Sequence, residues 1–504
     1  MMAAAALAIG MAALAFDEQP MTGFFVERGH TLNALPSGPF LQADLDGDGA
    51  MDLLLPDTVA FQREGRFPEG AREPIPGTEE RPFADVWQGD LFLFFRDRVE
   101  RLRWRDGEWE TIHEQKMQWP EAFAEAVRDP EFPGVDETTR ANPRVRIRRL
   151  LHDFDGDGEP AIVAAVPTGL AVIRFQDGAY GPAEVLDVFP PLRLARPPSL
   201  TIWPPSERRV AFPARQMACR FYLDGNTVTT IERTENSAQS ARYIVARMEV
   251  TPDESGALQV VRGEVTTTPP VSHALRPWRL NDGEALDFAG GELAQTRASL
   301  IPAPLYSTLA STDAGETVQE IRSLSFRPSV SFVDFNGNGQ LDLIAHHIGL
   351  FEGGARDVVA RALSNRRVDH RIAVHYQEDG RFSRTPSIEG SFTIQLDEPP
   401  SRYSAHFQRY QSSELFDLGG DLTGDGLNDA VIQVRPDRLA IYRARGGAFE
   451  RSPAAEVPIG LDETFVVMDV NGNGRADIVI TPRTRPSAGP SPPARVYFTR
   501  EDGS

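Results

Sequence analysis

The chain is 504 residues long with a formal net charge of −21; 41% of its residues are hydrophobic and 25% charged. That length and balance describe a folded protein well beyond one ordinary domain. The acidic excess argues against a nucleic-acid backbone as partner, and a single cysteine, Cys219, excludes a disulfide framework.

The first element is apolar and alanine-rich. Residues 1–15 end in Ala13-Leu14-Ala15, a small-x-small pattern that reads as a signal-peptide cleavage site before Phe16, although no basic residue precedes it. Residues 16–504 are then expected to form one domain. The leader is too short for a membrane span and no other stretch qualifies, so the mature chain is expected to have none. Phe24-Phe25-Val26-Glu27 is a strand-like segment with no repeat of its own.

Next comes Asp44-Leu-Asp-Gly-Asp-Gly-Ala-Met-Asp52. Carboxylates at loop positions 1, 3, 5 and 9 with glycine at position 6 are what a hard, oxygen-seeking cation such as Ca2+ needs. Asp44, Asp46, Asp48 and Asp52 would supply side chains and Ala50 its carbonyl, while Gly49 allows the sharp turn. Four more copies follow. Asp153, Asp155 and Asp157 with Glu159 at position 7 repeat the start, but Ala161 replaces the ninth-position ligand. Asp334, Asn336, Asn338, Gln340 and Asp342 form the third copy, and Asp421, Thr423, Asp425, Leu427 and Asp429 the fourth. Asp469, Asn471, Asn473, Arg475 and Asp477 form the fifth. Loop charge predicts the tightest binding at Asp44–Asp52, then at Asp421–Asp429. Each copy lies between short apolar, β-prone runs, such as Phe465-Val466-Val467-Met468 before the fifth and Ile478-Val479-Ile480 after it.

Between the copies, Asp-Gly pairs at 106–107, 177–178, 224–225 and 379–380, and Gly446-Gly447, mark tight hairpins. They are expected to join third and fourth strands of a sheet, as the aspartate loops join first and second. A Pro-rich excursion over 57–81 opens an insertion at about 57–90; further insertions are expected at about 110–145 and 353–368, with helical stretches at 121–127 and 355–366. The long interval between the second and third loops must hide units without the loop. Residues 199–233 suggest one, and the alternating runs at 243–246 and 258–261 another. The total is about seven four-stranded units. A third strand at Arg495-Val496-Tyr497-Phe498-Thr499 has no fourth before the chain stops, so the strand at 24–27 is expected to complete it.

These five loops and their flanking strands, from Gln42 to Ile480, resemble the FG-GAP/VCBS repeat family, calcium-loop β-propellers related to integrin α-chain heads. The resemblance implies an all-β propeller fold with up to five Ca2+ ions, the 153–161 site lacking a ligand. Five divalent cations would offset about half of the acidic excess. An exported setting, secreted, periplasmic or at the cell surface, fits both calcium and the leader. The reading that follows is a non-catalytic binding or scaffold module for a protein or glycan. Some relatives are polysaccharide lyases or phospholipases, so the alternative is a carbohydrate-active or phospholipase-like enzyme on the same propeller.

Other motifs weigh little. Asp-x-Asp-Gly also resembles the nucleophile motif of haloacid-dehalogenase phosphatases, but it occurs repeatedly and Lys116 is the chain's one lysine. His113-Glu114 lacks the second histidine of a zincin helix. His346, His347, His370 and His375 are expected as strand residues, and Trp87, Trp104, Trp109 and Trp119 as packing residues.

Overall fold

The computed structural model describes residues 14, 16–21, 41–55, 58–80, 82–119, 146–147, 150–166, 169–188, 199–203, 219–236, 240–254, 256–267, 271–272, 275–278, 287–293, 305–311, 317–323, 329–348, 366–378, 381–397, 415–482 and 494–500. These residues are all-β. Their helical turns are two short 3-10 segments, Glu69–Ala71 and Thr78–Glu80. The helices expected over 121–127 and 355–366 lie outside the described residues, apart from Arg366. No helix among the described residues is long and apolar enough to cross a membrane.

Eight sheets of four or more strands follow one another along the chain. Sheet 1 is Leu41–Ala43, Asp52–Leu54, Thr58–Ala60 and Arg72–Pro74, an antiparallel meander. Sheet 2 is Phe83–Trp87, Asp90–Phe94, Arg98–Arg105 and Glu108–Lys116, with Arg146–Ile147 added parallel to its first strand. Sheet 3 is Leu151–His152, Ala161–Val166, Gly169–Ile173 and Glu184–Leu186. Sheet 4 carries Ser199–Trp203, Cys219–Asp224, Thr227–Asn236, Ser240–Pro252 and Leu258–Thr267. Sheet 5 is Leu275–Trp278, Asp287–Leu293, Leu305–Ser311 and Thr317–Ser323. Sheet 6 is Ser329–Val333, Asp342–Ile348, Arg367–His375 and Ile388–Gln395. Sheet 7 is Phe416–Gly420, Asp429–Arg435, Arg438–Tyr442 and Ala455–Pro458. Sheet 8 is Glu463–Met468, Asp477–Pro482, Ala494–Thr499 and, on its outer edge, Phe16–Met21.

The core lies between sheets rather than inside any one of them. Leu54, Val59 and Phe61 pack on Leu91, Leu93 and Phe95 of sheet 2. Equivalent apolar layers join sheets 2 and 3, 3 and 4, 6 and 7, and 7 and 8. Sheet 8 packs in turn on sheet 1, through Val466, Val479 and Val496 against Leu53, Leu55 and Phe67. A strand covered on both faces carries an uninterrupted apolar run. That is why Leu53-Leu54-Leu55 shows no alternation: Leu54 faces sheet 2, while Leu53 and Leu55 face sheet 8. Four-stranded antiparallel sheets stacked face to face in this way make a β-propeller architecture.

Several expectations need correction. The strand that completes sheet 8 is Phe16–Met21, paired antiparallel with Ala494–Thr499 from Phe16↔Thr499 to Met21↔Ala494; residues 24–27 lie outside the described residues. An outer strand is only half covered, so its sequence, Phe-Asp-Glu-Gln-Pro-Met, needs no apolar run. Residues 57–90 are not an insertion, because they contain the last two strands of sheet 1 and the first of sheet 2. Three-residue strands separated by proline loops are too short to show periodicity. The outer strand Glu108–Lys116 likewise occupies the start of the insertion expected at 110–145. Residues 199–233 and 243–261 belong to one sheet, since Thr227–Asn236 pairs with Ser240–Pro252; a separate sheet 5 follows them.

Asp106-Gly107 joins third and fourth strands of sheet 2 as expected. Asp177-Gly178 and Gly446-Gly447 instead close small two-stranded hairpins lying between the third and fourth strands of their sheets. Asp224-Gly225 turns between Cys219–Asp224 and Thr227–Asn236, and Asp379-Gly380 lies outside the described residues.

Candidate functional site: the aspartate loops

All five aspartate loops join the first and second strands of their sheets, in sheets 1, 3, 6, 7 and 8. Their backbones are near-copies. Glycines at positions 4 and 6 are left-handed in every loop, for example Gly47 at φ 77° and Gly49 at φ 89°, or Gly472 at 71° and Gly474 at 84°. A side chain at either place would be strained. The requirement at position 4 is visible in the sequence as an invariant glycine among the five copies, a signal missed by attending to position 6 alone.

Position 1 is an anchor. Asp44 accepts the N–H of Gly47 at 2.8 Å and of Gly49 at 3.1 Å on its two oxygens. Asp153 does the same for Gly156 and Gly158 at 2.7 and 3.0 Å, and Asp421 for Gly424 and Gly426 at 2.6 and 2.7 Å. Asp334 accepts Gly339 N–H at 2.9 Å and Asp469 accepts Gly474 N–H at 2.8 Å. Position 3 accepts from position 5 in four loops: Asp46 from Asp48, Asp155 from Asp157, Asn336 from Asn338 and Asn471 from Asn473. In the fourth loop Thr423 donates its hydroxyl to Asp421 instead.

Position 5 accepts the N–H of position 7 in every loop. The donors Ala50, Glu159, Gln340, Leu427 and Arg475 lie 2.8, 2.7, 2.8, 3.0 and 2.8 Å from Asp48, Asp157, Asn338, Asp425 and Asn473. These bonds wrap the loop so that its side-chain oxygens turn inward. The ligand oxygens of Asp44, Asp46 and Asp48 come within 4.8 Å of one another, as do those of Asp153, Asp155 and Asp157. Among the described residues these are the loops that bring three acidic groups so close.

Position 9 does something the sequence pattern does not announce. Asp52, Asp342, Asp429 and Asp477 open the second strand and are fully buried. Asp52 accepts the N–H of Leu45 and of Gln62, both at 2.8 Å. Asp342 accepts those of Phe335 and Gln377 at 3.0 and 2.8 Å. Asp477 accepts those of Val470 and Thr499 at 3.1 and 2.9 Å. One bond holds position 2 of the loop and the other the chain at or just past the end of the third strand, so each of these carboxylates ties three segments together. Asp52 lies outside the close trio of its own loop.

Asp429 departs from the pattern. Its Oδ2 accepts from Leu422 and Thr423 at 3.0 and 3.1 Å, while its buried Oδ1 has no partner. The Oδ1 of Asp334 and the Oε1 of Gln340 in the third loop are orphaned in the same way. Burial pushes the carboxyls of Asp52 and Asp342 up to about 6 and those of Asp429 and Asp477 up to about 7, against the pull of their backbone hydrogen bonds. A buried carboxylate oxygen without a partner, as at Asp429, is compensated by a proton or by a positive charge.

The loops are also wired to their neighbours. Asn428 donates its backbone N–H to Phe335 O at 2.8 Å and its side-chain amide to Asp334 O at 3.1 Å, joining the fourth loop to the third. Ala476 N–H reaches Asp421 O at 2.8 Å, joining the fifth to the fourth. Gln42 donates to the carbonyls of Asp469 and Val470 at 3.1 and 3.0 Å, and Gln62 to that of Asn471 at 2.5 Å, joining sheet 1 to the fifth loop. Asp417 and Asp85 stitch neighbouring sheets similarly, by accepting Val467 N–H and the N–H groups of Leu150 and Leu151.

The remaining candidates sort as packing groups. His346 Nδ1 lies 3.3 Å from His370 Nε2, both rings buried and His370 stacked on Phe416 at 3.9 Å. His375 instead bonds the Ser383 carbonyl at 2.8 Å. Trp104 packs on Phe61 and Trp109, while Trp87 and Trp119 donate to the Gly158 and Phe95 carbonyls.

Comparison with known proteins agrees with the repeat. An FG-GAP-like repeat is matched at residues 421–480, which span the fourth and fifth loops. A search of curated protein sequences finds no significant match. Among solved structures the chain is similar to the dihydro-heme d1 dehydrogenase NirN, at 11% identity and a TM-score of 0.32, over 97% of this chain and 79% of that one. It is also similar to the rhamnogalacturonan lyase YesW, at 11% identity and a TM-score of 0.26, over 66% and 60%. A third is the hydrazine synthase of Kuenenia stuttgartiensis, at 13% identity and a TM-score of 0.24, over 73% and 80%.

Proposed function

Taking an FG-GAP repeat protein with five copies of one loop as the premise, we propose that it is an exported, calcium-loaded β-propeller acting as a non-catalytic binding or scaffold module for a protein or glycan. One observation carries the cation: side-chain oxygens held inward by backbone amides, with the Oδ1 of buried Asp429 left without a partner. Positions 1, 3 and 5 would hold the ion, joined in the fourth loop by Asp429, with the carbonyls of Ala50, Glu159, Gln340, Leu427 and Arg475 as further oxygen donors. When bound, a divalent cation supplies the positive charge that offsets the loop carboxylates. The second loop lacks a ninth-position carboxylate at Ala161 yet gathers three close aspartates, so it remains a candidate.

The chain's own residues do the rest. The ninth-position aspartates fix the loop to its sheet, and the bonds of Asn428, Ala476, Gln42 and Gln62 pass that rigidity from sheet to sheet. Such a frame suits a protein that presents fixed loops to a partner outside the cell, where Ca2+ sites of about 10⁻⁴–10⁻³ M dissociation constant are filled. A glycan and protein binding screen, run in calcium and in chelator, tests this. Calcium-dependent capture of a glycan or protein supports it. Turnover of a polysaccharide or phospholipid by the purified chain would replace it with the enzymatic reading.

A further inference from the structure

Loop charge alone makes the first loop the strongest cation site. The geometry around it points the other way. Arg63 follows the third strand of sheet 1 and lays its guanidinium across the loop, with Nη2 2.6 Å from Asp46 and Nη1 3.0 Å from Asp48. Its Nη1 also donates to the Gln62 carbonyl at 2.6 Å, and its charge lies 5.5 Å from the Phe61 ring, so the side chain is held in place by more than the two carboxylates. Asp46 and Asp48 are the residues at positions 3 and 5. Among the described residues, no ion pair reaches Asp155, Asp157 or Asp425, the carboxylates at positions 3 and 5 of the other loops, where the remaining residues are Asn or Thr.

Sheet 2 shows what this arrangement becomes when carried further. Its first two strands are joined by the two-residue turn Gln88-Gly89, not by an aspartate loop, yet Asp90 keeps the ninth-position register. Trp87 pairs with Asp90 as Ala43 does with Asp52, Val333 with Asp342, Gly420 with Asp429 and Met468 with Asp477. Asp90 is buried like them. It is compensated by Arg101 at 2.6 Å and by Arg103 at 2.6 and 2.8 Å. Arg101 reaches on to Glu159, position 7 of the second loop, at 2.7 Å. In sheets 1 and 2 guanidinium groups are ion-paired to carboxylates of the repeat, whereas Arg475, which lies over Gly424 of the fourth loop, donates its Nη1 to the Arg500 carbonyl at 3.1 Å.

We propose that Arg63 is the resident counter-ion of the first loop, and that a divalent cation enters there only by displacing it. The first loop is then not the first to fill, and the loop at Asp421–Asp429 fills before it. This rests on the calcium reading of the loops, and it makes Arg63 the residue that sets cation affinity in sheet 1. A guanidinium bonds two carboxylates through directed N–H donors, so an ion must break both contacts to gain the same oxygens.

The test is hydrogen exchange on the full chain over a calcium titration, following the segments 44–52 and 421–429 separately, in native protein and in Arg63→Gln and Arg63→Lys. In native protein, segment 44–52 gains protection at a higher calcium concentration than 421–429. Arg63→Gln lowers the midpoint of 44–52 by roughly ten-fold, the scale of two charge-assisted contacts, and leaves 421–429 unmoved; Arg63→Lys lowers it less. Arg63 is partly exposed, with 43% of its side chain in contact with solvent, so neither variant removes core. Calcium protection of 421–429 with no shift of 44–52 in Arg63→Gln overturns this proposal alone. No calcium effect on any loop overturns the calcium reading and this proposal with it.

Discussion

Replacing Asp477 by alanine removes a brace whose strength can be worked out from its contacts. The carboxylate is fully buried and accepts the N–H of Val470 at 3.1 Å and of Thr499 at 2.9 Å. Without it both amides lose a buried acceptor, and each orphaned N–H costs about 1–3 kcal/mol. The sum is about 2–6 kcal/mol, offset in part by removal of a buried charge. A chain of 504 residues unfolding as one unit changes stability by roughly 1 kcal/mol per degree near its midpoint. Calorimetric melting in chelator, where no ion contributes, is therefore expected to fall by about 2–6 °C. Asp477→Asn keeps one acceptor oxygen and should lose about half as much. Exposed Asp462→Ala is the control and should be near neutral. If Asp477→Ala melts with Asp462→Ala, the ninth-position carboxylates are not braces and the description of the loops is wrong.

Four further outcomes are expected. Deleting residues 1–21 strips the partner from Ala494–Thr499, and the exposed strand edge should lower the melting temperature and promote aggregation, read by light scattering. Asp90→Ala leaves Arg103 without its buried partner and Arg101 with Glu159 alone, and should cost about 1–3 kcal/mol in urea unfolding. Burial holds the pKa of His375 below the ordinary histidine value, so its contribution to stability is full above about pH 6.5 and is lost as the pH falls toward its folded pKa. The stability difference between native protein and His375→Asn should then shrink on acidification from pH 7 to 5; a constant difference would contradict the assignment. Gly424→Ala places a Cβ at φ +73°, 2.7 Å from the Arg475 side chain, and should cost about 1–3 kcal/mol in thermal unfolding.

The loops and their flanking strands were legible because a cation loop has fixed spacing and sits between apolar runs that fill both faces of a sheet. Position 9 was legible as an aspartate but not as a brace. Its partners, Gln62, Gln377 and Thr499, lie at or just past the end of the third strand, 10, 35 and 22 residues away, and no local pattern links them. Asp90 escaped notice for a related reason, since its loop has shrunk to Gln88-Gly89 and only strand register reveals its equivalence to Asp52. Phe16–Met21 was hidden because a half-covered outer strand carries polar residues freely. The last two strands of sheet 1, Thr58–Ala60 and Arg72–Pro74, were hidden because proline loops dominate the sequence around them. Arg63 lies 15 residues beyond Asp48 and meets it through the hairpin of sheet 1, which sequence spacing cannot encode.

Counting bound calcium on the purified chain, by equilibrium dialysis with the radioactive ion at millimolar free concentration, addresses the cation most directly. Three to five ions per chain are expected if the oxygens of Asp334, Asp421, Asp469 and their loop partners hold them, with fewer in Asp421→Asn. A chain that binds none, and melts at the same temperature in calcium as in chelator, would contradict the account.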